Sequence, residues 1–355
     1  MYSILYIETS QFNDFLKSLR NSFQVFSPQP KTQNFTQEND YSYKRFSAES
    51  PFVFNPYRAV EPLKTFFTQA EEKMGRYFGG EDKVVDLQAK TIVFGVKSCD
   101  IAGHRIQDFV FLEGVEVDTV YRLRRENTIL ISGDCTDYKS VCHCLAWDIL
   151  PYPSWGFDLN ISPLNDGYVV EAGSDKGEEL LKAHKDLFLQ VKDAQIAGRR
   201  AKRESLIDRL RRHLLPQGLV HKEDVQRLVK EGYFSSTWQE FMLTCVECGG
   251  CNFICDTCHC FLLSDIRGAQ QHKKIRSWDS CQYANYARVA GGANPLKLRA
   301  QRLRFRFTKK FDFFVDNLGI PACCGCGRCI EVCPGKIDIR EVLKDLEKKL
   351  KDKSA

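Results

Sequence analysis

No run of apolar residues in this 355-residue sequence approaches the roughly 20 needed to cross a bilayer, so direct membrane insertion is not expected. The opening is not leader-like either. Ile4, Leu5, Tyr6 and Ile7 are cut short by Glu8, and no basic segment precedes them, so an unexported, cytoplasmic protein is expected. Charge of one sign is missing too: 51 basic against 46 acidic residues is a near balance, not the excess of a nucleic-acid-binding protein. No G-x-G-x-x-G follows a predicted strand, and no Ser/His/Asp set or carboxylate pair stands out. A pyridine nucleotide or flavin is therefore expected on a partner, and no bond-breaking chemistry on this chain.

What the sequence does have is sixteen cysteines. A reducing compartment makes disulfides a poor explanation, which leaves metal or redox chemistry. The first 180 residues read as α/β, with strands expected at 3–7, 24–26, 91–96, 128–132 and 168–171 and an amphipathic helix at 12–23. Pro28 and Pro30 are expected to end the second strand and 29–50 to be loop. Residues 181–240 read as a helical connector punctuated at Gly198-Arg199-Arg200 and Pro216-Gln217-Gly218. Twelve cysteines fall in 241–345, and the residues beyond, 346–355, form a charged tail expected to be a solvated helix end.

Two segments of that last region share one template, C-x2-C-x2-C-x3-C: Cys245, Cys248, Cys251 and Cys255, then Cys323, Cys326, Cys329 and Cys333. Three thiolates spaced by two residues can wrap one iron–sulfur cube, while small residues such as Gly249, Gly250, Gly325 and Gly327 let the backbone approach it. The fourth cysteine of each run leaves in another direction and ligates the other cluster. That rule assigns Cys245, Cys248, Cys251 and Cys333 to one [4Fe-4S] cluster and Cys323, Cys326, Cys329 and Cys255 to a second. Two structural zinc knots are the alternative. Pro334 follows the second run, but Asp256 stands where a proline is expected after the first. The 67 residues between Cys255 and Cys323 are too many for a compact β-rich ferredoxin. Segments 261–274, 282–289 and 296–314 lack strand punctuation, so an α-helical dicluster ferredoxin domain is expected.

The chain resembles the dicluster β subunits of cytosolic sulfhydrogenases, the A subunits of anaerobic sulfite reductases and related electron-transfer subunits. The resemblance rests on Val96 to Ile101, Cys142-His143-Cys144, Cys255 to Cys260, Trp278 to Cys281, Arg302 to Arg306 and Cys323 to Pro334. It implies a hetero-oligomer in which this subunit, not catalytic alone, passes electrons between a flavin- and NAD(P)H-binding subunit and a catalytic subunit of hydrogenase or sulfite/sulfur reductase type. Leu145-Ala146-Trp147 departs from a Ser-Met-Gly type turn in relatives, and Cys324 is an added cysteine.

Cys99 and Cys135 each follow an expected strand, with Cys142 and Cys144 in the loop after the second. If those strands are parallel neighbours, the four thiols converge at the carboxyl edge of the sheet, where α/β proteins build their sites. Four cysteines suit a third [4Fe-4S] cluster, zinc, or simply buried small hydrophobes. Cys258, Cys260 and Cys281 lack an obvious fourth partner; they read as the lining of a cluster cavity, with a four-cysteine set completed by Cys324 as the alternative. The basic stretch Arg299, Arg302, Arg304, Arg306, Lys309 and Lys310 reads as a solvated helix face, with cations beside the clusters as a second reading and a nucleic-acid groove as a third. Two further alternatives stay open: a flavin or small-substrate site in the N-terminal domain, and a zinc-bearing nucleic-acid module.

Overall fold

The computed structural model describes residues 2–31, 39–47, 52–76, 89–267 and 272–354. The N-terminal half begins with β1 (Ile4–Glu8), α1 (Thr9–Leu19), β2 (Gln24–Pro30), β3 (Tyr41–Arg45) and β4 (Glu71–Arg76). It continues through β5 (Thr91–Val96), α2 (Ser98–Leu112), α3 (Thr119–Glu126), β6 (Thr128–Gly133), β7 (Leu159–Pro163) and β8 (Gly167–Ala172). Then come α4 (Asp175–Ala183), β9 (Leu189–Gln190), α5 (Asp193–Leu214), α6 (Lys222–Glu231), α7 (Thr237–Phe241) and α8 (Gly250–Phe253). The remainder holds β10 (Phe261–Arg267), β11 (His272–Trp278), α9 (Arg299–Thr308), α10 (Phe314–Leu318), α11 (Arg328–Glu331) and α12 (Ile339–Ser354).

Eight strands form one mixed sheet in the order β3-β2-β5-β6-β7-β8-β1-β9. Its centre, β2-β5-β6-β7, is parallel, and the pairs outside it are antiparallel. β5 and β6 are continuous apolar, largely β-branched runs because helices and loops cover both faces. α1 packs on the sheet through Phe12, Phe15, Leu16 and Leu19, spaced at three and four residues, all buried with Ile92, Phe94, Ile131 and Ile161. On the other face Leu63, Phe67, Ile101, Phe111 and Tyr121 meet Val93, Val96 and Leu130.

The C-terminal region is mostly helical and has its own core. Trp238, Leu303, Phe307, Phe311, Val342 and Leu346 from α7, α9, the turn that follows α9, and α12 pack together beside the cysteine loops. Between α9 and α10 the helix widens into one π turn, Lys309–Phe313, a local feature that often marks a functional position.

Several expectations need correction. β2 runs through Pro28 and Pro30, because Pro28 and Pro30 lie on its β3 side, where residues 39–47 supply an antiparallel partner rather than only loop. Residues 32–38 and 48–50 of that expected loop lie outside the described residues. Gly198-Arg199-Arg200 sits inside α5 and does not interrupt it, whereas Pro216-Gln217-Gly218 does end a helical stretch, with Gly218 left-handed at φ 56°. The largest miss is 261–274. β10 and β11 form an antiparallel hairpin, and β11 pairs in turn with β4, some 200 residues earlier. Residues 282–289 are turns. α12 continues to Ser354, and Leu346 within it is fully buried, so solvation begins later than expected.

Candidate iron–sulfur centres

Parallel pairing of β5 with β6 brings their carboxyl ends side by side. Cys99 opens α2 directly after β5, Cys135 follows β6, and the loop carrying Cys142 and Cys144 folds over both, so one cavity is lined by all four thiols. The convergence expected from the sequence therefore occurs. Gly325 and Cys326 from the C-terminal region complete the wall, and the backbone of His143 donates to the Gly325 carbonyl at 2.8 Å. Burial pushes the Cys135 thiol up to about 12 and raises Cys99, Cys142 and Cys144 as well. Thiols so deeply placed ionise only against strong positive charge, and the fully buried Lys97 lies beside Cys135.

The two matching runs also meet. Cys245, Cys248, Cys251 and Cys333 line one cavity, although Cys333 is 88 residues beyond Cys245. Backbone amides point at sulfur there: Glu247 N lies 3.4 Å from Cys245 Sγ and Ile337 N 3.3 Å from Cys333 Sγ. Gly249, Gly325 and Gly327 have φ of 71°, 63° and 73°; Gly249 and Gly327 are the left-handed residues just before the short helices α8 and α11, which carry Cys251 and Cys329. Cys255, Cys323, Cys326 and Cys329 are mutually close enough for a charge on one to oppose ionisation of another. Cys255 is nonetheless held well below the ordinary thiol range, because Cys258 donates a hydrogen bond to it and Lys310 and Arg306 stand nearby. Cys326 is lowered to about 6, first by a hydrogen bond from Cys324 and then by Arg328 and Arg58.

The basic stretch is only partly the solvated face expected. Arg302, Arg306 and Lys310 are buried, at 1%, 5% and 4% exposure, which is the reading that places cations beside the cysteines. Arg302 is neutralised by Glu247. Among the described residues Lys310 reaches Cys255 Sγ at 3.4 Å, Thr257 Oγ1 at 2.6 Å and the Ala322 carbonyl at 3.0 Å, and no carboxylate. Arg306 Nε and Nη2 have no hydrogen-bond partner among the described residues. Burying two cations without carboxylates costs several kcal/mol per charge unless anions are supplied. Thiolates carrying an iron–sulfur cluster supply that negative charge, so the donor set and its surroundings fit such a group. Single ions fit less well: among the described residues no three His, Cys, Asp or Glu are gathered closely enough to hold one metal ion. Zinc would draw four sulfurs to about 3.8 Å of each other at Zn–S bonds of about 2.3 Å.

The sequence reading overlooked the charged bolts between the two halves. Arg328, next to Cys329, lies 2.6 Å from Asp100 and 3.0 Å from Asp256, all three buried. Asp256, where proline was expected, thus ties the first cysteine run to α2 and also accepts from Lys64 N at 3.1 Å. Arg58 donates to the Cys326 carbonyl at 2.6 Å and pairs with Glu331, which Lys139 also reaches at 2.6 Å. The signal was present as charged residues inside cysteine motifs, where nothing solvated is expected.

Residues 244–337 match a family model described as a 4Fe-4S dicluster domain. Over 347 residues the chain is 29% identical to the sulfhydrogenase 2 subunit beta of Pyrococcus furiosus, covering 97% of this chain and 98% of that protein. Among the described residues, no helix is long and apolar enough to cross a membrane.

Proposed function

We propose that the chain is an electron-transfer subunit of a cytoplasmic, multi-subunit oxidoreductase of hydrogenase or sulfur-reductase type. It holds one [4Fe-4S] cluster on Cys245, Cys248, Cys251 and Cys333 and another on Cys323, Cys326, Cys329 and Cys255. Cys99, Cys135, Cys142 and Cys144 hold a third. Bound there, the clusters would supply one-electron steps between a flavin- and NAD(P)H-linked subunit and a catalytic one. The chain's own residues supply thiolates, aim amides at sulfur and bury the ligands away from water, which sets each potential. The observation that carries this reading is the pair of buried, carboxylate-free cations, Arg306 and Lys310, among the thiols of the two matching runs.

A second reading has one supporting observation. A cavity of about 450 Å³ opens beside Cys135 and is lined by Arg199, Lys202, Arg203 and Arg209, as an anionic small molecule or flavin would need. Three of these are already neutralised, Arg199 by Glu171, Arg203 by Asp134 and Arg209 by Asp137. That favours the relay. Anaerobic purification followed by iron and acid-labile sulfide analysis tests it: about twelve irons per chain are expected from these three sites, falling to about eight in Cys135→Ser. A colourless protein with stoichiometric zinc would end the proposal, and flavin absorption in the isolated chain would transfer support to the second reading.

A further inference from the structure

Three cysteines remain outside these assignments. Cys258 and Cys260 follow the first run, Cys281 follows β11, and the fold brings all three into the wall of one further cavity. A single amide nitrogen, Nδ2 of the buried Asn252, lies 3.5 Å from Cys258 Sγ and 3.2 Å from Cys281 Sγ. One amide group thus bridges the two sulfurs. Lys309 Nζ stands 3.5 Å from Cys260 Sγ, at the start of the π turn. Gln282 Nε2 donates to Cys281 Sγ at 3.4 Å. Donors thus converge on these sulfurs as they do on ligand sulfurs elsewhere in the chain.

The charge balance points the same way. The Arg306 guanidinium lines this cavity as well as the one made by Cys245, Cys248, Cys251 and Cys333, and its Nε and Nη2 are unpartnered. Lys309 and Lys310 line the cavity too, and no carboxylate does among the described residues. The clusters proposed above already lie against Arg306 and Lys310, so the cation that this cavity adds is Lys309, at 3.5 Å from Cys260 Sγ.

We propose that Cys258, Cys260 and Cys281 hold an additional iron–sulfur cluster on three thiolates, beside the two-cluster site. His259 is the remaining ligand-type side chain in that wall among the described residues. A cubane held by three thiolates keeps one iron without a cysteine, so this centre is open to a non-thiolate ligand where the others are closed. The proposal rests on the iron–sulfur reading above and extends it.

The full-length chain, purified and reconstituted with iron and sulfide under strict oxygen exclusion, is compared with Cys281→Ala and with Cys260→Ala. Each variant is expected to lose about three or four irons per chain while the iron held by the two matching runs stays. Variants that keep the parent's iron overturn the proposal. Should both variants be insoluble, Cys135→Ser decides, since uptake of about eleven or twelve irons without the N-terminal site supports the additional centre and saturation at about eight rejects it. A parent that binds no iron at all rejects the earlier reading instead, so the two failures are distinguishable.

Discussion

Arg306 lies on α9 between two thiol-lined cavities, and its Nε and Nη2 have no hydrogen-bond partner among the described residues. A fixed buried cation stabilises the more negative, reduced state of a nearby cluster. Arg306→Gln keeps much of the volume and removes the charge, so the potentials of the adjacent clusters are expected to fall by roughly 60 mV, one decade in a one-electron equilibrium. Redox titration followed by low-temperature spectroscopy measures this, and unchanged potentials would show the charge to be compensated elsewhere. Gly325 makes a steric prediction. At φ 63° a Cβ there would come within 2.5 Å of Cys144 N and 2.6 Å of His143 C, both backbone atoms that cannot swing aside. Gly325→Ala should therefore push the Cys142–Cys144 loop off the second cysteine run, costing about 1–3 kcal/mol in melting and depleting iron at the N-terminal site first.

Elements differed in how readable they were. β5 and β6 stood out because buried parallel strands are uninterrupted apolar runs, and the cysteines just past them were legible for the same reason. β10 reads Phe-Leu-Leu-Ser-Asp-Ile-Arg, which has no alternation to betray a strand, and its sheet closes through β4, Glu-Glu-Lys-Met-Gly-Arg, a segment with almost no apolar signal. Pairing across some 200 residues made that sheet, and local pattern does not report it. Its buried anchor is Arg276 of β11, 3% exposed, whose Nε and Nη2 both reach Glu72 Oε1 of β4, at 2.9 and 2.5 Å, with Asp118 on the other side. Glu72→Ala leaves that guanidinium half-paired, and a loss of about 3 kcal/mol is expected in denaturant unfolding. A loss under about 1 kcal/mol would mean that Asp118 and water suffice. The two cysteine runs were fully legible by spacing, whereas Arg58, Lys64 and Arg328 were not, since each acts through contacts with distant backbone.

At the scale of the whole molecule, the N-terminal sheet and the helical region share their walls. The cavity of Cys99, Cys135, Cys142 and Cys144 is closed by Gly325 and Cys326, and β4 belongs to a sheet completed by β10 and β11. One surface stands apart. β10 is an edge strand, and Phe261, Leu262, Leu263 and Ile266 on it are 43–57% exposed, just after Cys260. Unpaired apolar edges drive association. The isolated chain is expected to self-associate with rising concentration, and Leu263→Lys to reduce this several-fold in light scattering without loss of iron. Equal scattering by both proteins would place the sticky surface elsewhere.

Cys333 facing Cys245, with Gly325 and Ala322 closing the other two cavities, has a bearing on biosynthesis. Until residues 322–333 have been synthesised, each of these three cavities lacks part of its wall. Metal loading is then expected to wait for that stretch, and a product stopped before it is expected to emerge wholly apo rather than partly charged.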